Sequence, residues 1–128
     1  MTGVETVYLP VEEESVTPAD VELVLEGLHA AAKQTTNKLA KFRVAHAAMR
    51  VVDDYVRSER TDPNRDKDEP QPQFADSLAK LPPTALARLR WFIQDSDLTR
   101  SLPTTRERHD AEFIGEYTAG EEYQDLVN

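Results

Sequence analysis

Residues 39–56 read LAKFRVAHAAMRVVDDYV, and this stretch decides the fold class. Phe42, Ala45, Met49, Val52 and Val56 recur at spacings of three and four, which sets them on one face of a helix. Val44, Ala48, Val51 and Tyr55 form a second stripe beside the first. Together the stripes cover about half of the helix circumference, so this helix needs two neighbours to bury it.

The chain before it supplies one. Thr17-Pro18-Ala19-Asp20 combines a threonine cap, proline at the first helical position and an acid three residues after the cap, which together satisfy the amides that a helix start leaves unpaired. Val21, Val24, Leu25, Leu28, Ala31 and Ala32 then mark an apolar face, with Glu22, Glu26, His29 and Lys33 opposite. One continuous helix over 18–60 would be about 65 Å long, against about 36 Å for the diameter of a compact domain of this size. Either the chain turns near Gln34, Thr35, Thr36 and Asn37, all indifferent or poor helix formers, or the protein is an elongated oligomer. The turn is the favoured reading.

After it, residues 61–73 (TDPNRDKDEPQPQ) hold three prolines, six charges and no apolar side chain, the composition of a solvated linker. Phe74, Leu78 and Leu81 resume a helical spacing, Pro82-Pro83 restarts the chain, and Leu86, Leu89, Phe92 and Ile93 mark another apolar face. Thr104 and Glu107 stand in capping-box positions ahead of a last, sparse apolar face of Phe113, Ile114 and Tyr117. Before the first helix, Val7-Tyr8-Leu9-Pro10-Val11 alternates like an edge strand or an extended arm. The expected fold is all-α: a small helical bundle with a long helical hairpin (17–60), an extended acidic N-terminal arm (1–16), a flexible charged linker (61–73), a helical pair (74–103) and an acidic C-terminal helix or tail (104–128).

Composition narrows the function classes. A chain of 128 residues supports one core. The absence of cysteine removes disulfides, thiolate zinc sites and cysteine nucleophiles and suits a reducing compartment. No apolar run approaches the roughly 20 residues of a membrane span, and the N-terminus lacks the pattern of a signal peptide, so a cytoplasmic location is expected. Arginine outnumbers lysine ten to five, a bias associated with GC-rich bacterial or phage genomes.

Net charge is −9, carried as −4 by residues 1–16, +1 by 17–60, −2 by 61–73, +1 by 74–103 and −5 by 104–128. The helical middle is thus balanced and the ends are acidic. Arg43, Arg50 and Arg57 recur every seven residues as a basic stripe on the central helix, yet the overall charge argues against direct nucleic-acid binding. Near the C-terminus, Glu107, Asp110, Glu112, Glu116, Glu121, Glu122 and Asp125 alternate with Phe113, Tyr117 and Tyr123, a pattern that can dock on a basic partner or imitate rows of phosphates.

Motifs for chemistry are missing. The glycines at 3, 27, 115 and 120 cannot build a phosphate-binding loop, and there is no G-x-S-x-G. Asp62, Asn64, Asp66 and Asp68 imitate a calcium loop, but Lys67 replaces its glycine and Gln73 its glutamate. His109 with Glu107, Asp110 and Glu112 is a short cluster typical of an exposed acidic helix. His46 reads as a histidine at the edge of the core. No catalytic residue, cofactor or metal is expected.

The reading is a non-enzymatic interaction protein, an adaptor, assembly factor or small chaperone, whose partner is another protein and which can form homo-oligomers. Its candidate contact residues are Arg43, Val44, Arg50, Val51, Tyr55 and Arg57 on the central helix, with Glu116, Tyr117, Glu121, Glu122 and Tyr123 near the C-terminus. The alternative is an acidic inhibitor or regulator of a nucleic-acid-binding protein.

Overall fold

The structure, a computed structural model, describes residues 16–61, 68, 70, 72–95 and 102–127. Within them the chain forms six helices and no strand: α1 (Pro18–Lys33), α2 (Lys38–Arg60), α3 (Phe74–Ala79), α4 (Pro83–Asp95), α5 (Thr105–Tyr117) and α6 (Glu121–Asp125). The all-α reading holds. The proposed arm and most of the linker, with the calcium-like residues Asp62, Asn64 and Asp66, lie outside the described residues.

The start of α1 follows from local chemistry. The Thr17 hydroxyl accepts from the Asp20 amide at 3.2 Å, while the Asp20 carboxylate accepts from the Thr17 amide at 3.0 Å. The Thr17 amide and hydroxyl, both donating to that carboxylate, favour its charged form and hold Asp20 below the usual range for its type. At the other end α1 stops at Lys33, and Asn37 caps α2 by accepting from the Ala40 amide at 3.0 Å. The chain therefore turns at residues 34–37, and α1 packs back along α2 as a hairpin. Val16 ties the open end of that hairpin, its amide donating to Ser58 Oγ at 3.1 Å.

α4 completes the core by packing on both hairpin helices, and α5 and α6 pack on α4. Val21, Leu25, Ala45, Val52, Tyr55, Leu78, Leu89, Phe92 and Ile114 are all essentially without solvent contact. Each such large side chain contributes about 1.5–3 kcal/mol by leaving water. α3 exists to close one end: the Tyr55 hydroxyl donates to the Ser77 carbonyl at 2.9 Å inside the core. Burial, reinforced by Glu59, pushes the Tyr55 phenol up to about 12.

Two details differ from the sequence expectation. His29, read on the polar side of α1, is buried, with its ring edge-on to Trp91 at 4.6 Å between centroids. Val24 and Ala31, read as core, are exposed. The cause is α4, which covers the Glu22 and His29 side of α1 and anchors there by Arg88 Nη1 and Thr84 Oγ1, both donating to Glu22 Oε1 at 2.7 and 2.6 Å. Burial, then the nearby Lys33 and Arg88 charges, lower the His29 pKa.

The second difference lies in α5. Ala111, Ile114 and Thr118 face the core, and Arg90 Nη1 donates to the Gly115 carbonyl at 2.9 Å. The C-terminal segment is therefore part of the bundle. Phe113 and Tyr117, expected on the inner face, remain more than a third exposed.

Candidate functional site

α2 carries a polar edge as well as its apolar half, and α5 runs past that edge across a cleft of about 440 Å³. From α2 the cleft is lined by His46, Met49, Arg50, Asp53, Asp54 and Arg57, and from the α5 side by Thr104, Arg106, Glu107 and Asp110. Spacings of three and four along α2 bring His46, Met49, Asp53 and Arg57 to one edge. Thr104 starts α5 by accepting from the Glu107 amide at 3.1 Å. The predicted reciprocal half of that capping box does not form, because the Glu107 side chain turns instead toward His46, with Oε2 3.4 Å from Nε2.

Asp53 is the hub of the cleft. Its carboxylate accepts from Arg57 Nη2 at 2.8 Å and pairs with Arg106 Nη2 from the opposite wall. Arg57 also stands 3.7 Å from Asp54. The arginine ends are exposed by more than 60%, so these pairs are screened by water and are worth a few tenths of a kcal/mol each. His46 Nε2 and Glu107 Oε2 are sequestered from solvent without a hydrogen bond among the described residues. Asp110 is held above the usual carboxylate range, first by burial and then by the Asp53 charge, against the opposing pull of Arg106, Arg60 and His109.

Beside the cleft lies an aromatic ladder. Arg106, Asp110, Phe113 and Tyr117 succeed one another at spacings of four, three and four, so the face of α5 that lines the cleft continues into Phe113 and Tyr117. The Phe113 ring stacks on Tyr117 with centroids 6.3 Å apart and meets Phe74 of α3 edge-on at 5.3 Å. Arg60, whose Nε donates to the Pro72 carbonyl at 3.4 Å, is near enough to Asp110 for its charge to act on that carboxyl.

The predicted contact residues are divided by the structure. Arg50 and Arg57 line the cleft, and Arg43 is exposed one turn from His46. Tyr117 belongs to the ladder. Val44 and Val51 are half-buried against the core, and Tyr55 is wholly inside it, so the second stripe of α2 is taken up by the chain itself. Tyr55 is therefore not available to a partner in this fold. Glu116 and Glu122 are exposed, Tyr123 packs partly on the core, and the side chain of Glu121 lies outside the described part. Sequence reasoning missed the cross-helix pairs His46 with Glu107 and Asp53 with Arg106, and the contact of Phe74 with Phe113. Only the 106, 110, 113, 117 spacing announced any of this.

Among the described residues no group of three histidine or acidic side chains could hold a metal ion, and no helix is long and apolar enough to cross a membrane. No protein-family model, characterised protein or solved structure matches this chain.

Proposed function

We propose that this chain is a non-enzymatic interaction protein, an adaptor or assembly factor, that binds a protein partner over the α2/α5 cleft and the aromatic ladder beside it. The ladder carries the reading. Phe113 joins half-buried Phe74 to Tyr117, and Phe113 and Tyr117 are each more than a third exposed, although the core has room for rings such as Tyr55 and Phe92. Aromatic and arginine side chains are the residues most enriched at the energetic centres of protein interfaces. The cleft next to them is lined with charges of both signs, which suits one or two polar side chains of a partner better than a small apolar ligand.

A second reading, a regulator of a basic, nucleic-acid-binding protein, is favoured by one observation. Glu112, Glu116, Glu122 and Asp125 are exposed and take part in no ion pair among the described residues. They lie away from the cleft side of α5 and could supply long-range attraction.

Affinity capture from the native host, with the wild type and a Phe113→Ala/Tyr117→Ala variant that keeps its helical circular dichroism, tests both. A partner recovered by the wild type and lost by the variant supports the ladder as the contact, and its being a nucleic-acid enzyme selects the second reading. Equal recovery by both proteins removes the ladder from any interface.

A further inference from the structure

The outward face of α1 has no partner among the described residues. Leu23, Val24, Gly27, Ala30 and Ala31 fall within an arc of about 120° on the helix, and all five are exposed, Leu23 by 70%. Such a run of large and small apolar side chains on the outside of an amphipathic helix is unusual, since the outer face is ordinarily polar. Gly27 adds an independent oddity. Glycine inside a helix costs stability relative to alanine, yet a Cβ at Gly27 would meet nothing within 4 Å. Among the described residues nothing needs the missing side chain. A backbone approaching from outside would.

We infer that α1 is a self-association surface on which a second copy of this chain packs its own α1 in antiparallel sense. The occupant is indicated by charge. Glu26 and Lys33 lie on the same flank of the apolar arc, both are exposed, and neither has an ion pair among the described residues. In an antiparallel crossing with twofold symmetry, like flanks face each other. A crossing centred near Ala30 sets Glu26 of one copy against Lys33 of the other, and the symmetry makes the same pair a second time. Centring the crossing on Gly27 would instead bring the two Glu26 side chains together, so the charges also choose the register.

In the chosen register the small residues Gly27, Ala30 and Ala31 occupy the crossing point, where close approach of the two backbones requires them. Leu23 and Val24 then reach the second copy's turn at residues 34–37. One helix crossing buries less than the roughly 800 Å² per partner of a stable complex, so the dimer is weak and reversible. It shares no residue with the α2/α5 cleft and stands independently of the function proposed above.

The register makes a specific experiment possible. Sedimentation of the full chain from about 10 µM to about 1 mM should show a monomer–dimer equilibrium. Gly27→Leu, which favours the helix and so keeps the fold, should weaken dimerisation at least tenfold by holding the backbones apart. Glu26→Lys and Lys33→Glu should each abolish it, because each sets like charges together at both ends of the crossing. Mixing those two single variants should restore a dimer containing one of each, since every pair is then again of opposite sign. A full chain that stays monomeric over the whole range, a dimer indifferent to Gly27→Leu, or a mixture that fails to pair would each overturn the inference.

Discussion

The two sides of α2 are built on different terms. On one, Ala45, Ala48, Val52, Tyr55 and Val56 have almost no solvent contact, and the one polar group among them, the Tyr55 hydroxyl, has a partner in the Ser77 carbonyl. On the other, His46, Asp53 and Arg57 face a cleft whose ion pairs are solvent-exposed at their arginine ends and where His46 Nε2 and Glu107 Oε2 have no hydrogen bond among the described residues. Dispersion and apolar burial fix the first side tightly. Weak, screened pairs leave the second with little share in folding and free to be rearranged by a partner. Stability and the proposed recognition are thus separated on a single helix, about a third of a turn apart.

α5 serves both sides, which makes it the sharpest place to break the contrast. Ile114 is wholly buried, whereas Phe113, its neighbour in sequence, is 38% exposed. Ile114→Ala should cost about 2–4 kcal/mol of unfolding free energy, by lost burial and the cavity left behind. Phe113→Ala should cost about 1 kcal/mol or less, mostly the edge contact with Phe74. Urea unfolding followed by circular dichroism measures both. Equal losses would mean that the ladder is core and that the two sides are not distinct.

A smaller effect is expected from His29, the buried histidine of α1. In the unfolded chain His29 takes up a proton near its ordinary value of 6.5, while in the folded chain burial beside Trp91 lowers that value. As pH falls through 6.5 the unfolded state therefore binds the proton first, and stability declines until the folded value is passed. Above pH 6.5 the group is neutral in both states and contributes no slope. His29→Phe should flatten the profile between pH 7 and about 5 relative to the wild type. A variant with the same slope as the wild type would show that His29 is not the group responsible.

Much of the inner side was legible in the sequence, and little of the outer side. The hairpin turn at residues 34–37, the cap at Thr17 and the restart at Pro83 depend on neighbours within a few residues, and local chemistry decides them. The sequence places the inner face of α1 about 50° from where it lies, because periodicity averages over a helix while α4 chooses which flank it covers. His29 went inward with Trp91 and Phe92, and Val24 went outward. The cleft was less legible still. Asp53 and Arg57 are four apart, a spacing at which helix side chains meet, but Arg106 reaches Asp53 across 53 residues, and no local pattern encodes that meeting.

The last test concerns the sign of an effect in the cleft. Removing a well-satisfied group from the inner side should destabilise the protein, whereas removing the Asp110 charge should do the reverse. Asp110 is held above its ordinary value of 3.8 because burial and Asp53 together outweigh the attraction of Arg106, Arg60 and His109. A carboxyl whose folded pKa is raised binds its proton more tightly in the folded state, so at neutral pH its ionised form subtracts from stability. Asp110→Asn keeps the shape and discards the charge, and should therefore raise stability slightly at pH 7. The gain should shrink as the pH approaches 3.8 from above and vanish below it, where Asp110 is neutral in both states. Melting temperatures of the two proteins from pH 7 to about 3 give the comparison. A gain at neutral pH marks the cleft as a place where the chain gives up stability to keep a charge in position, as binding surfaces do. A loss of stability at pH 7 would instead make Asp110 part of a network that holds α5 to α2, and the contrast between the two sides of α2 would fail at that point.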